Sequence, residues 1–138
     1  MEAVVRPPSI VVVAARPVTF FRTCLVDAVA GAVGRAAVRV LRRQGYRVEV
    51  AKRATCCGQP AWNSGFAAEA ARVAQATLDA LEGGDGLICT PSGSCATMIR
   101  LYWPQMFRLA GNEAAAARAE RLATRVVEFS ELAARGPA

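Results

Sequence analysis

Five cysteines and no histidine define the chemistry open to this 138-residue chain. Without imidazole, the chain cannot supply a histidine-dependent catalytic triad, His-ligated zinc, a Rieske centre or His-ligated haem. In a chain interpreted as intracellular, thiols are more often metal ligands or redox groups than parts of stable disulfides. Iron–sulfur clusters and zinc select thiolate ligands, commonly about four of them. The candidate functional residues are therefore Cys24, Cys56, Cys57, Cys89 and Cys95.

The pattern of apolar residues predicts an α/β fold with a parallel sheet of about four strands and flanking helices. Runs rich in β-branched and aromatic residues predict strands over 18–23, 47–51, 86–90 and 125–129. Helical periodicity predicts helices over 27–44, 65–81 and 113–123, with further helices beginning near Cys95 and at Ser130. Strands that alternate with helices of this length are typical of βαβ units.

Capping and breaking residues set the expected ends of these helices. Asp27, Ser64 and Ser130 are expected N-caps, and Pro104 is expected to break or kink the helix that starts near Cys95. Apolar residues are expected on the buried face of the first helix, with Val29, Val33, Ala37 and Val40 or Leu41 in its stripe. A similar stripe is expected on the second helix, formed by Ala70, Val73, Ala74, Thr77, Leu78 and Leu81.

The predicted strands place four cysteines at one edge of the sheet. Cys24 follows the first strand, Cys56 and Cys57 follow the second, and Cys95 follows the third. Ligands of parallel α/β sheets bind outside the carboxyl ends of the strands, so this edge is the expected functional site. Cys89 lies within the third strand, where a cysteine behaves as a small buried hydrophobic residue.

The adjacent pair Cys56-Cys57 requires a turn if both thiols are to face one site, and Gly58 supplies the backbone freedom. The segment 55–65 (TCCGQPAWNSG) resembles the CCG, or cysteine-rich, domain family. This family includes a component of heterodisulfide reductases, the iron–sulfur component of glycolate oxidases and the lactate utilization protein A group. The segments 20–27 (FFRTCLVD) and 91–95 (PSGSC) are similar to the N-terminal repeat of the last group, and the resemblance covers 17 to about 134.

The resemblance implies a site for an iron–sulfur cluster, of the 4Fe–4S type. Its ligands would be Cys24, Cys56, Cys57 and Cys95, with Gly58 permitting the turn between them. Side chains near these cysteines would donate hydrogen bonds to sulfur and tune the potential. These are Gln59, Asn63, Ser92 and Ser94.

The implied function is that of an iron–sulfur redox subunit in an oxidoreductase complex. It would transfer electrons during oxidation of L-lactate or a related 2-hydroxy acid, with a ferredoxin-like iron–sulfur subunit and a companion lactate-utilization subunit as partners. The chain departs from the family pattern in two ways. The final Cys-x-x-Cys pair is incomplete, since Ser92 and Met98 stand three residues either side of Cys95. Only one repeat is present, so a second repeat or a homodimer would complete the site.

Two other interpretations of the thiols stay open. The first is a structural or regulatory thiol or zinc-binding module with an incomplete cluster site. The second is a thiol enzyme in which Cys57 or Cys95 is the nucleophile. A vicinal disulfide between Cys56 and Cys57 would be a by-product of oxidation. The aromatic residues Phe66, Trp62, Tyr102 and Trp103 are expected to pack in the core or at its rim.

Composition limits the remaining classes of function. The chain is 54% hydrophobic, and its length suits a single domain over 17–138 preceded by an extension over 1–16. It has no apolar run long enough to span a membrane. Its first residues lack the order of a secretory signal, so we expect a cytoplasmic location. The net charge of the chain is +6. The densest cluster of basic residues, from Arg35 to Arg53, indicates a solvated helix face or a surface for an acidic partner rather than a nucleic-acid site. The segment 91–94 lacks a Walker lysine, so nucleotide binding is not expected.

Overall fold

The computed structural model describes residues 14–138, so most of the extension predicted over 1–16 lies outside this range. Residues 14–16 have no regular secondary structure. The strands β1 to β4 are Pro17–Phe20, Arg47–Val50, Leu87–Thr90 and Val126–Glu128. The helices α1 to α8 are Cys24–Val29, Gly31–Arg43, Gln59–Asn63, Ala67–Glu82, Gly93–Thr97, Trp103–Leu109, Glu113–Ala123 and Phe129–Ala134. A π-helical segment, Met98–Tyr102, joins α5 to α6.

The four strands form one parallel sheet in the order β2-β1-β3-β4, which confirms the predicted fold class. After β1 the chain runs outward to β2, then returns across β1 to place β3 on its other side. The order therefore reverses between β1 and β3. In doubly wound sheets, a crevice opens at this switch point, at the carboxyl ends of the two strands.

Each face of the sheet has its own apolar core. One core contains side chains from α4, α6 and α7, including the fully buried Leu78, Trp103 and Phe107. The other contains residues of α2 and α8, with Leu41 and Leu132 fully buried. A layer on both faces explains why the strands are predominantly apolar. No helix within residues 14–138 is long and apolar enough to cross a membrane.

The first predicted helix is two helices. Thr23, not Asp27, caps α1, because its hydroxyl accepts a hydrogen bond from the N–H of Val26 at 3.3 Å. Asp27 instead pairs with Arg22, with 3.2 Å between Nη1 and Oδ1. The break at Ala30 changes the helical register, so the predicted apolar stripe is only partly confirmed. Ala37 and Leu41 are buried as predicted, whereas Val29, Val33 and Val40 are exposed. Gly34 and Val38 complete the buried face of α2.

Ser64 does not cap α4 as predicted. The turn-rich segment before it forms the short helix α3, with Pro60 in its first turn, and Ser64 is the C-cap of that helix. Pro60 is suited to this position because the N–H that it lacks would have no partner in the helix. The stripe of α4 is confirmed except at Val73, which is 44% exposed, while Ala71 is buried.

The last two predictions of helix ends had mixed outcomes. Ser130 is not the N-cap of α8: Glu128 is, and its carboxylate accepts from the N–H of Ser130 while Glu131 reaches back to the N–H of Glu128. This reciprocal pair satisfies two free N–H groups of the helix. The helix after β3 is interrupted ahead of Pro104, as predicted. The interruption is the π-helical segment, which leaves Pro104 in the first turn of α6.

Candidate functional site

The topology brings the ends of β1 and β3 side by side, and each is followed by a cysteine at the start of a helix. Cys24 is the first residue of α1, and Cys95 lies in the first turn of α5. Cys56 and Cys57 lie in the loop between β2 and α3. The four cysteines predicted to share the carboxyl edge of the sheet therefore do so, beside the switch point.

These cysteines form two close pairs. The sulfur atoms of Cys24 and Cys56 are 3.7 Å apart, and those of Cys57 and Cys95 are 3.5 Å apart. The outer pair is open to solvent, since Cys24 is exposed and Cys56 partly so. The inner pair is buried, with 2% of Cys57 and 7% of Cys95 exposed. The adjacent residues Cys56 and Cys57 thus contribute one thiol to each pair.

Cys89 lies apart from these pairs. It is fully buried in the core formed by α2 and α8, whereas Cys57 and Cys95 pack into the core on the other face of the sheet. Burial, and secondarily the negative charge of Glu128, raises the pKa of the Cys89 thiol to about 12. A thiol that stays protonated and buried is chemically inert, which confirms its predicted role as a hydrophobic core residue.

Gly58 makes the turn that separates the two thiols. Its φ of +83° lies in the left-handed region, and a Cβ at this position would lie 2.7 Å from the carbonyl oxygen of Ala70 in α4. Its N–H donates to the sulfur of Cys56 at 3.4 Å. Glycine is required here for both reasons: the backbone conformation and the close approach of the loop to α4.

Two side chains from the helices hold the cysteine loop in place. The indole N–H of Trp103 donates to the carbonyl oxygen of Cys57 at 2.8 Å. The hydroxyl of Thr77 donates to the carbonyl of Cys56 at 2.8 Å and accepts from the N–H of Thr55 at 3.1 Å. Sequence reasoning assigned Trp103 and Thr77 to apolar packing alone. Their hydrogen-bonding role could have been predicted, because buried indole N–H and hydroxyl groups need hydrogen-bond partners.

A hydrogen bond links the two thiols of the inner pair. The Cys57 thiol donates to the Cys95 sulfur, which lowers the pKa of Cys95 against the opposing effect of burial, and Ser92 and Ser94 lower it further. The same bond to Cys95, together with burial, raises the pKa of Cys57. Cys95 is therefore the thiol of the pair that deprotonates first. In the outer pair, burial and then the neighbouring Cys56 raise the pKa of Cys24.

The other predicted neighbours of the site differ in what they contribute. The Ser92 hydroxyl caps α5 by accepting from the N–H of Cys95 at 3.3 Å. The backbone of Gln59 acts to lower the pKa of Cys57, against the larger opposing effects of Cys95 and burial. Within residues 14–138, neither the Gln59 nor the Asn63 side chain hydrogen-bonds a cysteine. Among the aromatic residues, Trp103 packs at 6.0 Å from Phe107, Trp62 packs at 6.0 Å from Tyr102, and Phe66 is 59% exposed.

The donor set suits a metal centre made only of thiolates. In a tetrahedral site with metal–sulfur bonds of ~2.3 Å, two sulfur ligands lie ~3.8 Å apart, close to the separation within each pair. Across the described part of the chain, however, no three Cys, Asp or Glu side chains are grouped to hold one metal ion. The four sulfurs thus form two separate pairs, each with about the spacing of two thiolates on one metal atom.

The comparison with protein families agrees with this thiol-rich site. The model of the CCG cysteine-rich domain matches residues 18–100, a span that includes all five cysteines. The chain belongs to the CCG cysteine-rich domain family.

Proteins named lactate utilization protein A are similar to this cysteine-rich domain. Those of Anoxybacillus flavithermus, Geobacillus kaustophilus and Bacillus thuringiensis are 41%, 40% and 40% identical to it over 114 residues. The match covers 83% of this chain but 46% of each relative, so the chain spans about half the length of the curated relatives it matches. No solved structure matches the chain significantly.

Proposed function

We propose that the cysteine-rich domain holds an iron–sulfur cluster, of the 4Fe–4S type, through Cys24, Cys56, Cys57 and Cys95. It would serve as an electron-transfer subunit in the oxidation of L-lactate or a related 2-hydroxy acid. The observation that carries this proposal is the presence of four thiols at the carboxyl edge of the sheet, beside its switch point. The similarity to proteins named lactate utilization protein A supports the choice of reaction.

The residues of this chain would fix, desolvate and tune the cluster. A cysteine-ligated cluster supplies one-electron transfer when bound. The buried pair Cys57 and Cys95 would exclude water from one side, and Cys95 already favours the thiolate that ligation requires. The N–H of Gly58 would keep its hydrogen bond to the sulfur of Cys56, which raises a reduction potential. With no histidine in the chain, a general-base role is not part of the proposal.

The exposed outer pair would be the side from which electrons enter or leave. A partner that covers Cys24 would bring its own redox centre close to the cluster. The proposed partners are a ferredoxin-like iron–sulfur subunit and a companion lactate-utilization subunit in the cytoplasm. Because the chain spans about half of its relatives, a second CCG repeat or a second copy of this chain would complete the assembly.

The test is iron and acid-labile sulfide analysis, with a visible spectrum, after anaerobic purification and reconstitution. We expect a stoichiometric cluster that is lost in the Cys56→Ser/Cys57→Ser variant. Cys89→Ser is the matched control, because it changes a buried cysteine in the other core and should retain the cluster. Absence of iron from the reconstituted protein, or equal loss in the control, would contradict the proposal.

The same preparation tests the zinc alternative, which the spacing within each sulfur pair also favours. Stoichiometric zinc with no iron or sulfide would identify a structural thiol site instead. Rapid alkylation of Cys95 with parallel loss of an activity would identify a thiol enzyme. Burial of Cys95 argues against that outcome, since only 7% of it is exposed.

A further inference from the structure

A second concave site, which no cysteine lines, lies beside α1. A cleft of about 560 Å³ is bounded by α1, α2 and the segment that follows β2. Val26, Val38 and Val50 give it apolar walls. Gly34 lets α1 and α2 approach, since a Cβ there would lie 3.0 Å from Cγ1 of Val26. The volume of this cleft lies within the range of sites for small organic molecules, and its walls combine valine side chains with charged groups.

The polar groups of this cleft are almost all positive. Its charged lining residues are Arg22, Asp27, Arg35, Arg39, Arg42 and Lys52. The pair Arg22–Asp27 is mutually neutralised. The other four cations form no salt bridge with any carboxylate in residues 14–138. Four like charges around one concavity repel each other, and an anion placed between them would relieve that repulsion.

One of these cations is held at the cleft by a hydrogen bond. Arg42 donates through Nη2 to the carbonyl oxygen of Val48 at 3.0 Å, which ties it to the edge strand β2. A held guanidinium loses less side-chain entropy on binding than a free one, and its planar fork matches phosphate and carboxylate oxygens.

We propose that this cleft binds a small organic anion with two or more negative charges beside a short apolar part. Phosphate esters and polycarboxylates share this chemistry. The four cations provide the charge complement, and the valine walls accept the apolar part. The concave shape favours a small molecule over the flat acidic surface of a protein. No cysteine lines the cleft, so the proposal does not depend on the cluster.

The test is calorimetric titration of the whole chain at low ionic strength with pyrophosphate, citrate and 1-naphthyl phosphate as probes. We expect saturable one-to-one binding that weakens with added salt. Arg39→Gln should weaken binding about tenfold, as for loss of a charge-assisted hydrogen bond. Arg43→Gln is the matched control, because Arg43 is exposed on the same helix but does not line the cleft, and it should change binding by less than about twofold. Preference for citrate or for the phosphates would identify the class of anion.

Three results would overturn the proposal. The first is no saturable binding of any of the three probes. The second is equal weakening by Arg39→Gln and Arg43→Gln, which would indicate a general effect of net charge. The third is binding of poly-L-glutamate without binding of the small anions, which would indicate a docking surface for an acidic protein. Urea unfolding of each variant would establish that these exposed substitutions leave the fold intact.

Discussion

Replacing Gly58 by alanine tests whether the cysteine turn depends on a close approach to α4. Gly58 and Gly65 both have φ in the left-handed region, at +83° and +85°. They differ in their surroundings: a Cβ on Gly58 would lie 2.7 Å from the carbonyl oxygen of Ala70, whereas a Cβ on Gly65 would meet nothing within 4 Å. Gly65→Ala therefore measures the conformational strain alone, and Gly58→Ala measures the strain together with the steric overlap.

The strain of a left-handed alanine is about 1–2 kcal/mol, offset by about 0.4–1 kcal/mol from the stiffer unfolded chain. We therefore expect Gly65→Ala to lower the free energy of unfolding by about 1 kcal/mol. Overpacking adds about 1–3 kcal/mol, because the contact at Gly58 is with backbone and cannot be relieved by a rotamer change. Gly58→Ala should therefore lower the free energy of unfolding by about 2–4 kcal/mol.

Urea unfolding followed by tryptophan fluorescence measures both losses. With a denaturant slope of about 2 kcal/mol/M, the two midpoints should differ by roughly 1 M. Iron content after reconstitution should fall in Gly58→Ala and be retained in Gly65→Ala. Equal losses of stability in the two variants would refute the reasoning, because they would mean that the loop moves away from α4 at no energetic cost.

Three further predictions concern the contacts of the cysteine loop. Thr77→Val leaves the N–H of Thr55 and the carbonyl of Cys56 without a partner. It should lower the free energy of unfolding, measured by urea unfolding, by about 2–3 kcal/mol. Trp103→Phe removes the donor to the loop carbonyl and part of a buried ring, and should cost about 2–4 kcal/mol and lower iron retention. In the metal-free chain, ultraviolet thiolate absorbance should show Cys95 deprotonating below the usual pH range of a thiol. Cys57→Ala should move that titration to higher pH, because it removes the donated hydrogen bond.

Each of these predictions has a control variant or a contradicting outcome. Thr77→Ser keeps the hydroxyl and should lose less than half as much stability as Thr77→Val. Equal losses would show that the hydrogen bonds of Thr77 do not stabilise the cysteine loop. Full iron retention in Trp103→Phe would show that the indole does not position the loop. For the thiolate, Cys89→Ala should leave the titration unchanged, since Cys89 lies in the other core. A titration unaffected by Cys57→Ala would show that the Cys57 thiol does not lower the pKa of Cys95.

The parallel sheet and the edge occupied by the cysteines could be predicted because both follow from local pattern and one topological rule. Apolar runs identified the four strands, and parallel strands end at the same edge of a sheet. That reasoning places Cys24, Cys56, Cys57 and Cys95 together. It cannot tell which thiols pair, because the pairing depends on how the turn at Gly58 directs two adjacent side chains.

The features that were predicted wrongly depend on contacts between distant residues or on competing caps. Thr23 and Asp27 are both good caps, and the choice depends on the backbone at the end of β1, where Thr23 has a positive φ of 66°. The break at Ala30 then exposes Val29 and Val33, which a single continuous helix would have buried. The hydrogen bond from Trp103 to Cys57 joins residues 46 apart in sequence, beyond the reach of any local pattern.

The π-helical segment Met98–Tyr102 links the spacing of a helix to the position of the cysteine loop. One residue of a regular helix turns the chain by about 100°, so a π-turn shifts every later side chain relative to those before it. Cys95 lies ahead of this segment, and Trp103, which holds the carbonyl of Cys57, follows it directly. Deleting one residue between them would restore a regular helix but leave the thiol and the indole facing incompatible directions. Substitutions at the exposed Arg100 and Leu101 should therefore be tolerated far better than a change in the length of the segment, whereas Met98 and Ile99 are buried in the core.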